Sequence, residues 1–184
     1  MEKATPAIIT AAQEGSSEAF GKLYDTYITK IFKFVYYKTH HTQTAEDLTS
    51  KVFLKALEKI KTYNSEKSAF SSWLYTIARN TVIDHYRTKK VHKDIEDVWD
   101  LSDNTDIEHD LDVTLEMDKV KEHMKGLKST QRDIIIMRVW QGLRYKEIAD
   151  ILGKSEASCK MTYSRGMKAL RESMALAVIM LIML

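Results

Sequence analysis

Residues 145–170 read YKEIADILGKSEASCKMTYSRGMKAL, and they leave the chain little choice of fold. Two helical patterns, 145–152 and 155–170, are joined by a turn too short for anything but a tight corner. That is the spacing of a helix-turn-helix, whose second helix enters the major groove of DNA. Ile148 and Leu152 form an apolar stripe, and Ala149 is small where two helices must approach closely. Gly153 can take the left-handed conformation that ends a helix. Ser155 can cap the next helix through its hydroxyl. Cys159, Tyr163 and Leu170 mark a buried face. The opposite face carries Lys160, Ser164, Arg165 and Lys168, which supply phosphate and base-edge chemistry. A plain helical hairpin with a solvated basic face is the competing reading. The combination of Ala, Gly and Ser at these positions favours a DNA-reading module.

The rest of the chain repeats the helical period. With one Pro and six Gly in 184 residues, long stretches are free to be helical. A short helix is expected over 7–14. Residues 20–38 carry Phe20, Leu23, Tyr24, Tyr27, Ile31, Phe34 and Val35 at helical spacing. Residues 45–61 place Leu48, Val52, Phe53, Ala56, Leu57 and Ile60 on one face. Thr44 is the expected N-cap there, with Asp47 in a capping-box position. Residues 71–90 turn Trp73, Leu74, Ile77, Ala78 and Val82 inward. Between the last two helices lies YNSEKSAF, 63–70, a polar loop with aromatic ends. A second helical unit starts near Val113, with Met117, Val120, Met124 and Leu127 on one face. Ser129 is expected to cap a helix running through Trp140 and ending at Gly142. No strand signal of any length occurs.

Charge divides the chain unevenly. The net charge is only +2, yet residues 91–118 hold eleven acidic residues and one Lys. The remainder is therefore strongly basic, and basic domains read as polyanion binders. The acidic strip reads first as a solvated linker. A single Cys excludes an internal disulfide framework and suits a reducing compartment. No region has the Cys/His spacing of a zinc site. No charged-then-apolar leader opens the chain, so export is not expected. The last eleven residues, MALAVIMLIML at 174–184, are all apolar. They are shorter than the roughly 20 residues that span a membrane. They read as an extension of the last helix packed on a neighbouring domain, or as a docking segment for a partner or membrane.

At the residue level the chain resembles the extracytoplasmic-function (ECF, group IV) sigma factors of bacterial RNA polymerase, over about residues 7–172. AFGKLYDTY resembles the family's first conserved helix, and AEDLTSKVFLKAL its polymerase-binding helix. SAFSSWLYTIARNTVIDHYR resembles the promoter −10 segment. QGLRYKEIADILGKSEASCKMTYSRGMKALRE resembles the −35 helix-turn-helix. The four occur in order and at the family's spacing.

The resemblance implies an all-α fold of two small helical domains, joined by an acidic linker. The four-helix N-terminal domain spans 6–90, the linker 91–112 and the helix-turn-helix domain 113–173, followed by the apolar tail 174–184. It implies a function without catalysis: binding core polymerase through its β′ clamp helices and β flap, and directing it to promoter DNA. No cofactor, metal or small-molecule substrate is expected, an anti-sigma protein is an expected partner, and the cytoplasm is the expected location. The implied polymerase contacts are Asp47, Leu48, Lys51 and Phe53. Asp47 and Leu48 match the family's Asp-Leu pair. Ser50 and Lys51 stand where relatives carry Gln-Glu or Gln-Asp, which reverses a charge. The implied −10 contacts are Tyr63, Asn64, Ser65, Lys67, Phe70, Arg79, Asn80 and Arg87, with a flipped base captured in the loop. The implied −35 contacts are Arg144, Ser155, Ser158, Lys160, Met161, Ser164, Arg165 and Lys168. Arg144 replaces the usual Ser or Thr cap. Met161 and Thr162 depart from the usual Ser-Arg, so the −35 sequence cannot be copied from relatives. The linker is expected to thread the polymerase cleft as a nucleic-acid mimic. A stand-alone helix-turn-helix regulator is the alternative, and it would need a dimer and a palindromic site.

Overall fold

The computed structural model describes the backbone of residues 5–89, 123, 124 and 126–182, and their side chains apart from those of 89 and 175–182. The linker 91–112, Met117, Val120, Lys90 and the tail side chains after Met174 lie outside the described residues. Within them every regular element is a helix. The order is α1 Pro6–Gln13, α2 Ser17–Thr39, α3 Thr42–Lys59, α4 Phe70–Lys89, α5 Ser129–Ile135, α6 Tyr145–Leu152 and α7 Glu156–Ile182. The all-α expectation holds, with boundaries shifted by a few residues.

The helix starts follow from which side chains can accept a hydrogen bond. Thr5 and Ser16 cap α1 and α2 through their hydroxyls. At α3 the expectation is corrected. His41 is the cap, its Nδ1 accepting the Thr44 N–H at 3.1 Å, and Thr44 lies inside the helix. Asp47 is therefore beyond the first turn and closes no capping box. Ser129 does not cap α5 either; Lys128 stands at that position. An ammonium group accepts nothing, so only Gln131 acts, its Oε1 accepting the Lys128 N–H at 3.0 Å. The helix expected through Trp140 is instead α5 followed by one wider turn, Ile136–Trp140, in which the Gln141 N–H reaches back to Ile136 O at 3.2 Å. Gly142, the expected end of the helix, follows with φ +66°, a left-handed stop.

The first four helices share a core of Leu23, Ile31, Phe34, Val35, Leu48, Val52, Ala56, Leu74, Ala78 and Val82. Phe34 and Tyr75 meet edge to face at 5.2 Å. One inward assignment is corrected. Leu57 is half exposed, because the buried stripe of α3 runs through Val52, Phe53, Ala56 and Ile60 and passes it by. The second unit packs α5 and α6 on α7 through Ile134, Ile135, Ile148, Ile151, Cys159 and Leu170. Met124 and Leu127 are buried as expected. Where α7 crosses α5, a Cβ on Gly166 would sit 3.0 Å from Ile135 Cδ1 and 3.3 Å from Gln131 Cβ. Only glycine permits that approach without movement of the core. No helix is long and apolar enough to cross a membrane, among the described residues.

The two units also pack on one another. Tyr37 lies against Trp140 with ring centroids 5.4 Å apart. The Tyr75 hydroxyl donates to Gln141 Oε1 at 3.0 Å. Asp133, almost wholly buried on α5, pairs with Lys38 of α2 and Arg79 of α4.

Candidate nucleic-acid interface

The corner between α6 and α7 forms as its residues require. Gly153 ends α6 at φ +61°, and its N–H bonds to Ala149 O. Ser155 Oγ accepts the Ser158 N–H at 3.2 Å, capping α7. Tyr145 packs edge to face on Tyr163 at 5.9 Å and fixes α6 across α7. Lys160, Met161, Ser164, Arg165 and Lys168 are all exposed along one face of α7, with Ser158 half-buried at its start and Ser155 exposed. Cys159 and Leu170 are buried on the other face. Burial pushes the Cys159 thiol pKa up, so it stays an uncharged core thiol.

The basic face is partly matched from within. Lys160 pairs with Glu156 at 2.8 Å and stands 5.8 Å over the Tyr145 ring. That salt bridge holds the Glu156 carboxyl below its ordinary pKa. Lys168 reaches Glu172 at 3.9 Å. Arg138 also stands over the Tyr145 ring, 4.9 Å from its centroid, and donates to Leu143 O at 2.9 Å. Arg144 is exposed, and its own backbone N–H donates to Glu147 Oε2 at 2.8 Å. Like Lys128, it cannot accept from the helix, so only half of a capping box forms.

The loop before α4 is built on its aromatic ends. Tyr63 and Phe70 are buried and meet at 5.4 Å, each also contacting Trp73. The Tyr63 hydroxyl donates to Ser68 O at 2.9 Å across the loop. Gln13 of α1 donates to Ile60 O and Tyr63 O from below, at 3.0 and 2.8 Å. Tyr63 and Phe70, expected among the −10 contacts, are thus corrected: their buried rings form the floor that holds the loop. Above them Asn64, Ser65 and Lys67 are exposed, with Asn64 Oδ1 accepting the Glu66 N–H at 2.8 Å. On α4, Asn80 and Arg87 are exposed, while Arg79 is turned to Asp133. A cleft of about 280 Å³ is lined on one side by 65–69 and on the other by Arg144, Lys146, Glu147 and Asp150.

On α3, Asp47 and Lys51 are exposed, but Leu48 and Phe53 are buried in the core. The two buried residues support the helix and offer no surface, which corrects their assignment as direct contacts. Leu54 and Leu57, absent from the expected set, are exposed beside them. Their signal was available: 47, 50, 51, 54 and 57 share a helical face. Asp133 and Lys38 were also missed. The signal for Asp133 is a carboxylate at the edge of the apolar run Ile134–Met137, where a buried charge demands partners.

Comparison with known proteins follows the same division. The family model for Sigma-70 region 2 matches residues 23–91, and that for Sigma-70, region 4 matches 118–170. The chain is 33% identical over 156 residues to the RNA polymerase sigma factor YlaC of Bacillus subtilis, covering 83% of this chain and 90% of that one. It is 32% identical over 167 residues to the ECF RNA polymerase sigma factor BldN of Streptomyces coelicolor, covering 89% of this chain; it spans only 63% of that relative's length. The fold is similar to that of CnrH in complex with the cytosolic domain of CnrY, with a TM-score of 0.74 at 18% identity, over 95% of this chain and 99% of that one.

Proposed function

The chain belongs to the extracytoplasmic-function sigma factors of bacterial RNA polymerase, and we propose that it divides promoter recognition between its two helical domains as follows. Residues 6–90 bind core polymerase and capture the −10 strand, and 113–173 read the −35 element. The supporting observation is the exposed face Lys160–Ser164–Arg165–Lys168 on a helix whose start is fixed by Gly153 and Ser155. Arg165 and Met161 address base edges, and Lys160 and Lys168 neutralise phosphates. In the loop, Asn64, Ser65 and Lys67 read an unstacked base while Tyr63 and Phe70 hold the loop's shape. Trapping that base favours the open duplex by binding one state better than the other, and so offsets a few kcal/mol of unpairing.

On α3, Asp47, Lys51, Leu54 and Leu57 form the surface for the β′ clamp helices. The acidic strip occupies the polymerase cleft, and the β flap takes the second domain. CnrH is seen held by a cytosolic domain of another protein, and an anti-sigma factor is the corresponding partner here. With these partners the chain works in the cytoplasm. Run-off transcription with core polymerase on a promoter library tests the whole reading. A single −10/−35 pair should emerge. Transcription indistinguishable from core polymerase alone would leave a stand-alone DNA-binding regulator.

A further inference from the structure

Lys38 stands in the last turn of α2 and Arg79 in the middle of α4, and both converge on one carboxylate. Lys38 bonds Asp133 Oδ1, and Arg79 Nε bonds Asp133 Oδ2 at 3.0 Å. The side chains are 12% and 26% exposed, and that of Asp133 is 2% exposed. The cations belong to the −10 half of the molecule and the anion to the −35 half. Two cations held this close and this dry repel one another unless an anion sits between them. Remove Asp133 and what remains is a two-donor anion site, of the kind that takes the paired oxygens of a carboxylate or a phosphate.

The surroundings say which anion the open molecule supplies. Asn80 is exposed one residue after Arg79, Arg87 is exposed two turns on, and Lys67 is exposed in the loop before the helix. A nucleic-acid backbone lying along α4 would meet these groups in turn. The closed form blocks such a path, because the loop 65–69 shares its cleft with the start of α6. Elements at −10 and −35 are about 25 base pairs apart, or about 85 Å at 3.4 Å per pair. Surfaces sharing one cleft cannot reach both.

We propose that Lys38 and Arg79 form a single anion site with two alternative occupants: Asp133 in the closed factor, and a backbone phosphate of the unpaired −10 strand in the open one. This rests on assigning 63–70 and α4 to the −10 strand, and it adds Lys38 to that assignment. Strand capture and closure then exclude one another, and Asp133 acts as an internal stand-in for DNA.

The test uses the full chain and a short labelled single-stranded oligonucleotide carrying the −10 sequence, with a distance probe between the two halves. Asp133→Asn should separate the halves and bind the strand about tenfold tighter, because the competent state no longer has to be released. Tyr75→Phe loses a neutral contact of the same seam and leaves the three charges intact. It should open the molecule partly and tighten binding about fivefold, which covers the case in which Asp133→Asn fails to fold. Lys38→Gln is read in the opened background, where loss of the latch no longer counts. There it should weaken strand binding and lower the salt slope by about 0.7, one phosphate's worth.

Equal strand affinity in the wild type and both opened variants overturns the latch. An unchanged salt slope on losing Lys38 overturns the phosphate site. If Asn64→Ala still weakens the strand in that case, the −10 assignment survives without this site. If no variant binds the strand, both fall. If opening strengthens only polymerase binding, the occupant is an acidic protein surface and the proposal is wrong.

Discussion

At Asp133, burial pushes the carboxyl pKa up, but Lys38 and Arg79 together outweigh it and hold the group below the ordinary carboxylate value. The unfolded-state value is about 4, so the pair's contribution is complete above that and is lost as pH falls through the depressed value. Asp133→Asn should therefore lower stability at neutral pH, by at most about 3–5 kcal/mol, the penalty for cations left buried and unmatched, and by less because opening lets water reach them. Denaturant titration should show the gap from the wild type constant between pH 8 and 5 and shrinking below about 4. A gap that grows on acidification would contradict the assignment. On α7 the contrast is between two exposed cations. Arg165→Ala should cost about 1–3 kcal/mol at one −35 base position and relax preference there. Lys160→Ala should weaken all sequences alike, lowering the salt slope by about one unit. Binding titrations on a set of −35 variants separate the two, and equal, sequence-independent losses would remove the base-reading role from Arg165. The face carrying these cations was legible in the sequence because helical period alone sorts Cys159 and Leu170 from Lys160 and Arg165. The partner of Asp133 was not, because periodicity is blind to what lies 95 residues away.

Helix ends offer a sharper comparison than helix middles. Arg144 occupies a cap position it cannot fill as an acceptor, so Arg144→Ser should stabilise α6 by about 1 kcal/mol. The pair its exposed guanidinium forms with half-buried Glu147, at 3.3 Å, is worth little. Thermal unfolding should rise by about 2–4 °C for a chain of this size; a fall would mean that the guanidinium holds the turn in another way. At the α5–α7 crossing, Gly166→Val should destabilise by about 1–3 kcal/mol through overpacking against Ile135. Alanines through 64–67 should spare polymerase binding and block open-complex formation, and a pre-melted bubble template should restore activity. Failure of that rescue would sink the loop assignment. Two of the caps were where the sequence misled. Thr44 and Ser129 are good capping residues, yet His41 and Lys128 take those places. A cap is chosen by where the incoming chain turns, and tertiary packing sets that turn. Tyr63 and Phe70 misled differently: aromatic ends of a polar loop look the same in sequence whether they face solvent or form the floor.

Taken whole, the molecule is two helical units closed on one another by a buried ion triad, a hydrogen bond and a ring pair. The helices and their order could be read from the sequence, since each buries a stripe of its own residues. The closure could not, because it depends on a few polar groups whose partners belong to the other unit. Breaking it should show in scattering as a larger radius of gyration for Asp133→Asn at neutral pH, with helical content unchanged. A compact variant would mean that the apolar contacts suffice without the ions.

The separation of 95 residues between Lys38 and Asp133 also has a meaning in time. A chain made at about 5–20 residues per second completes the first four helices, at Lys89, roughly 2–9 seconds before it reaches Asp133. The first four helices can begin to fold in that interval, since Leu23, Phe34, Leu48, Val52, Leu74 and Val82 of their core are already made. The nascent protein thus passes through a phase in which its basic seam is complete and bare. Whatever polyanion is nearest the ribosome then meets it before its own carboxylate does.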